Sequence, residues 1–265
     1  MTAEKMETEM RKLKWSLMIV GVVLGGVLFF NPSAIAAQLH IFAGAGLRQP
    51  VDQLVKTFET QTGHRVFIDY GGAGQLLARI EAAGTGDLFI PGSLFYIQKL
   101  QTDGKVQTYR PIVQHTPVIG VNAKQAGRIK TFKDMAQPGI RLAMGDPKAM
   151  AFGRTAMTIC ENSGMKDAIL KNVTVYGATI KQLALYVSQG VVDAAIIGRT
   201  DAFQNKETIT MVSIPVEYFQ AEVIAAAVLT SAADSELAGQ LAEHLSSDTA
   251  VAVFNQFGFL PLDEL

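Results

Sequence analysis

The stretch Leu39 to Phe58, LHIFAGAGLRQPVDQLVKTF, limits the folds open to this chain more than any other. It reads as a short apolar strand over Leu39 to Phe42, a glycine-rich turn over Ala43 to Leu47, and then an amphipathic helix. Val51, Leu54, Val55 and Phe58 fall at i, i+3, i+4 and i+7, one face of a helical period. Pro50 suits the first turn, where its missing N–H costs nothing and its fixed φ is already helical. A helix start leaves backbone N–H groups unpartnered and carries partial positive charge, so this grammar predicts an anion site. Gly44 and Gly46 let a ligand approach the backbone closely. The same grammar returns in YGGAGQLLARI, Tyr70 to Ile80, where Gly72, Ala73 and Gly74 open a second helix. Two such turns in one domain predict a two-jawed anion cradle.

Strands and helices then alternate along the chain. Arg65 to Tyr70 reads as a strand, Asp87 to Ile90 as another, and Leu94 to Leu100 as a helix. Pro117 to Val121 is a strand at which the chain is expected to cross into a second lobe. There Ile140 to Met144 leads through Gly145-Asp146-Pro147 into a loop, Lys148 to Arg154, and a helix from Thr155 to Ser163. Thr179-Ile180-Lys181-Gln182 opens a helix running to Ser188, and Asp193 to Ile197 is a buried-type strand ending at Gly198. One return strand is expected within Thr210 to Leu229, followed by helices over Ser235 to Leu245 and Thr249 to Phe254. Alternation at this spacing predicts parallel βαβ units, with ligand beyond the C-terminal ends of the strands.

The N-terminal segment has a different character. Arg11, Lys12 and Lys14 precede the largely apolar run Trp15 to Phe30; Asn31-Pro32 breaks it, and Ala34-Ile35-Ala36-Ala37 supplies small residues. That order predicts a secretory signal peptide over residues 1–37 and an exported, periplasmic product. The run is shorter than the roughly 20 apolar residues that span a bilayer, which weighs against an uncleaved anchor. Roughly 228 residues remain, enough for two modest lobes.

Several function classes are disfavoured. The formal net charge is −1 and no basic run follows the leader, which argues against nucleic acid. Cys160 is the single cysteine and reads as a small buried hydrophobe. His40, His64, His115 and His244 lack metal-ligand spacing, so neither a metal centre nor a cofactor is expected. No GxSxG elbow, HExxH helix or P-loop occurs. Gly44-Ala45-Gly46 matches half of a dinucleotide fingerprint, but Gln49 stands where the last glycine belongs, so no enzyme is expected.

Together, IFAGAGL, YGGAGQLLARIEAAGTGDLFIPGS, RLAMGDP…FGR, TIKQLALYV, VDAAIIGRTDA and the closing VFNQFGF resemble the periplasmic molybdate-binding proteins. These are solute-binding components of ABC importers. The resemblance implies an α/β, two-lobed periplasmic-binding-protein type II fold, each lobe a mostly parallel sheet flanked by helices. It implies lobe I over 38–116 and 223–265, lobe II over 117–222, and a monomer that docks on a membrane permease. Its ligand would be a tetrahedral oxyanion such as molybdate or tungstate, held between the lobes.

The resemblance also implies hydroxyl donors that this chain lacks, at Gly46, Ala73 and Gly198. Backbone donors at Gly46, Leu47, Ala73, Gly74, Phe152, Gly153 and Ile180 remain, with Ala45 and Gly72 as further ligand-site residues in the same turns and Arg48, Lys148 and Arg154 as candidate replacement cations. A guanidinium suits an oxyanion because its planar fork gives two parallel bonds. Two accounts stay open: the same oxyanion held by backbone and a new cation, or a different anion or small organic solute. A membrane-tethered sensor would use the same lobes.

Overall fold

The computed structural model describes residues 37–147 and 151–264. The segment read as a signal peptide, apart from Ala37, and Lys148 lie outside the described residues.

The first element is β1 (Gln38–Gly44), which exits through a short 3-10 turn, Ala45–Leu47, into α1 (Arg48–Thr62). The buried face of α1 is Pro50, Val51, Leu54, Val55 and Phe58, and Gly63 at φ 75° ends it by donating to Glu59 O at 2.9 Å. Each such side chain taken from water contributes roughly 1.5–3 kcal/mol. Next come β2 (Arg65–Gly71), α2 (Ala73–Ala83), β3 (Leu88–Ile90), α3 (Leu94–Thr102) and β4 (Val106–His115). Here β1 pairs in parallel with β2 and β3.

A second sheet begins with β5 (Pro117–Asn122) and β6 (Leu142–Gly145). Then follow α4 (Ala151–Asn162), α5 (Lys166–Leu170), β7 (Val173–Gly177), α6 (Ile180–Ser188), β8 (Ala194–Gly198), α7 (Arg199–Gln204) and β9 (Ile209–Val212). The chain returns along β10 (Glu222–Leu229) and closes with α8 (Ser235–Leu245) and α9 (Asp248–Asn255).

Five strands make each sheet: β2-β1-β3-β10-β4 in the first lobe and β7-β6-β8-β5-β9 in the second. Both are evenly mixed rather than mostly parallel. The parallel pairs are β1 with β2 and β3, and β6 with β7 and β8, while β10 pairs antiparallel with β3 and β4, and β5 antiparallel with β8 and β9. The antiparallel halves arise where the chain passes between lobes without a helical crossover, at Thr116 and across 213–221.

Three elements differ from the sequence expectation. Residues 106–115 form β4, for which no strand is expected. The single return strand is two, β9 and β10, in different sheets. Phe152, Gly153 and Arg154 lie in the first turn of α4, not in a loop before it.

A buried aspartate stitches each sheet at the mouth of a central strand. Asp87 accepts from His40 N at 2.7 Å and Ala233 N at 2.9 Å. Asp193 accepts from Arg141 N at 2.8 Å and Arg141 Nη2 at 2.7 Å, and these bonds hold its carboxyl low against the opposing cost of burial. Cys160 sits in the core of the second lobe, and burial raises its thiol to about 11, so it stays protonated and inert.

Candidate functional site

A cavity of about 280 Å³ opens between the lobes, lined by Ala45, Gly46, Arg48, Gln49, Lys181, Thr200, Asp201 and Gln204. It lies at the low end of small-molecule sites, which run roughly 300–1,000 Å³. The C-terminal ends of β1 and β8 both feed it, one from each sheet.

The first wall is built by the turn after β1. Leu47 is buried and anchors that turn, whereas Ala45 and Gly46 are exposed. A Cβ on Gly46 would meet nothing within 4 Å, so this backbone faces open space. The Arg48 guanidinium lies 4.0 Å over the Tyr70 ring. The Tyr70 hydroxyl donates to Asp52 Oδ1 at 2.7 Å; burial, with that bond and charge, pushes its phenol well above the usual range. Arg48 is thus held through a ring face rather than a carboxylate, which leaves its N–H groups available. Among the described residues it forms no ion pair.

The opposite wall belongs to two helix starts. Thr179 caps α6, accepting from Gln182 N at 3.1 Å, while Gln182 Oε1 accepts from Ala178 N at 2.9 Å. This fixes the first turn and presents Lys181 to the cavity. From α7 come Thr200, Asp201 and Gln204. Burial raises the Asp201 carboxyl, and the charge of Lys181 opposes that rise.

The floor is tied to the passage between lobes. Arg199 N donates to Thr116 O at 2.9 Å, and Thr200 Oγ1 bonds His115 Nε2 at 3.2 Å. A Cβ on Gly198 would lie 2.8 Å from His115 Nε2 and 3.1 Å from Asp201 Oδ2, so only glycine fits there. Burial lowers His115 to about 4, which keeps it neutral. The C-terminal segment completes this corner: Phe259 stacks near His115, and Leu260 exchanges backbone bonds with Gln114.

Of the residues expected from sequence, Ala45, Gly46 and Arg48 line the cavity. Leu47 and Gly198 support it from behind. Ile180 packs against the core of the second lobe, beside Lys181. The second glycine turn, Gly72, Ala73 and Gly74, starts α2 and is not among these lining residues; Tyr96 lies 3.9 Å from where a Gly74 Cβ would be. The third stretch departs most. Gly153 is jammed against Gly145 O and Asp146, and Arg154 points instead to another cavity of about 340 Å³ beside Tyr218 and Phe219. The helix begins at Ala151, so Phe152, Gly153 and Arg154 lie in its first turn rather than in a loop before it. Gln49, Lys181, Thr200, Asp201 and Gln204 are the lining residues that sequence reading missed.

The model of the bacterial extracellular solute-binding proteins matches residues 39–260. The chain belongs to this family. It is similar to a Haemophilus influenzae chain described only as a binding protein, 38% identical over 240 residues, spanning 91% of this chain and 98% of that one. The molybdate-binding protein ModA of Azotobacter vinelandii is a distant relative, 20% identical over 251 residues, 93% of this chain and 99% of its own. Among solved structures, a Clostridium difficile substrate-binding domain ascribed to a molybdenum ABC transporter superposes with a TM-score of 0.79 at 20% identity. That match covers 86% of this chain and all of the other. The two-lobed architecture is the type II periplasmic-binding-protein fold, and the protein is an extracellular solute-binding protein rather than an enzyme.

Proposed function

We propose that the cleft binds a tetrahedral oxyanion, the class of molybdate and tungstate, and hands it to a membrane permease. The observation that carries this reading is a small cavity with Arg48 on one lobe and Lys181 on the other. Backbone at Ala45 and Gly46 adds uncharged donors beside Arg48. Closure about Thr116 and 213–221 would bring Gly72 to Gly74 and the first turn of α6 toward the ligand. Residues 1–37 act as the export signal in this reading, and the receptor works as a monomer without a cofactor. A different anion or a small organic ligand is the rival reading, since Gly46, Ala73 and Gly198 carry no hydroxyl.

A thermal-shift screen against molybdate, tungstate, sulfate and phosphate tests it. Ligand at a hundred times its dissociation constant adds about 2.7 kcal/mol of stability. Arg48→Ala and Lys181→Ala should each weaken the responding oxyanion about 10- to 100-fold, the worth of a charged hydrogen bond. Indifference to both would remove the oxyanion from this cleft. Gly46→Val should leave the melting point of the free protein nearly unchanged while filling the cavity and abolishing the ligand response.

A further inference from the structure

Among the described residues, Asp201 is the one acidic side chain on the cavity wall, set among the cations Arg48 and Lys181 and the amides of Gln49 and Gln204. Its neighbour Thr200 already bonds His115. Among the described residues the Asp201 carboxylate enters no ion pair, and the hydrogen bond it receives comes from its own backbone N–H. A half-buried carboxylate with spare acceptor capacity repels a bare dianion and welcomes an anion that brings a hydrogen-bond donor.

We propose that Asp201 is a specificity-determining residue that accepts the proton of a protonated tetrahedral oxyanion, the hydrogen-phosphate and phosphonate class, and disfavours fully deprotonated ones such as molybdate. This rests on reading the cleft as an oxyanion site. Molybdate near neutral pH has four oxygens and no hydrogen, so every contact it makes must come from a donor. Hydrogen phosphate and a phosphonate keep one O–H, which needs an acceptor. A wall of donors with a single acceptor matches the second set. A site built around a ligand hydroxyl rejects the analogue that lacks it, because its own polar group is then left unpaired. Burial raises the Asp201 carboxyl, and the charge of Lys181 opposes part of that rise.

The test is titration calorimetry on the full chain with inorganic phosphate, methylphosphonate and molybdate near neutral pH, for the parent protein, Asp201→Asn and Asp201→Glu. The parent should bind phosphate or methylphosphonate at least about tenfold tighter than molybdate, and which of the two is tighter identifies the source. Asp201→Asn should lose about 10- to 100-fold for the protonated ligand and hold or gain for molybdate; Asp201→Glu, which keeps the acceptor, should retain the preference. Tighter binding of molybdate by the parent, or an unchanged phosphate affinity in Asp201→Asn, overturns the proposal. Either result leaves the oxyanion reading standing provided Arg48→Ala weakens whatever binds by about 10- to 100-fold. If no oxyanion binds the parent, both fall.

Discussion

Gly153→Ala is expected to destabilise the protein by about 3 kcal/mol, the upper end of the usual cost of overpacking. The added methyl would stand 2.6 Å from Gly145 O and 2.7 Å from the carbonyl carbon and oxygen of Asp146. All three are backbone atoms, so no side-chain rotation relieves the contact, and either α4 or the turn after β6 must move. For a protein of this size the melting point should drop by roughly 6–12 °C. Gly46→Ala is the control, because a methyl there meets nothing within 4 Å. Equal urea midpoints for the two variants would show that α4 does not press on the Gly145 turn.

Acid should loosen the corner between the lobes through His115. Burial lowers its folded-state value to about 4, against roughly 6.5 in an unfolded chain. The unfolded state therefore takes up a proton at a higher pH than the native state does. Stability is complete above about pH 6.5, falls as the pH drops through the window down to 4, and levels off below it. The full loss is no more than about 3 kcal/mol, and the residual exposure of the residue trims it. Urea unfolding at several pH values in that window, for the parent and His115→Gln, measures it. The variant should show a shallower slope, since glutamine has no proton to gain. Parallel slopes would assign the acid sensitivity to other groups.

Much of the first lobe is legible in the sequence because its signals are local. Val51, Leu54, Val55 and Phe58 announce α1 by period alone, and Gly44 and Gly46 mark the turn that forms the first wall. The strand β4 escapes because it is the edge of its sheet, with no strand beyond it except the single bridge of Gln114 to Leu260, Pro111 in the middle and polar residues outward. Gly153 reads as loop because glycine costs a helix interior about 1 kcal/mol; contact with Gly145 overrides that preference. The opposite wall is hidden for another reason. Lys181 and Asp201 are ordinary surface charges until the ends of β7 and β8 bring α6 and α7 together, and a helix as short as Arg199–Gln204 shows no period to read.

The place of β10 between β3 and β4 also sets an order of events. All strands of the second sheet lie in one continuous run from Pro117 to Val212. The first sheet needs Glu222–Leu229 in its middle, hydrogen-bonded to Leu88 and Phe89 on one side and to Val106–His115 on the other. A chain emerging from the ribosome, or from a membrane pore, can therefore close its second lobe while the first still waits for its keystone. Until residue 222 is free, β3 and β4 each keep an open backbone edge, the state in which a growing chain is most exposed to mispairing and to capture by chaperones. The lobe that is begun first is the one finished last.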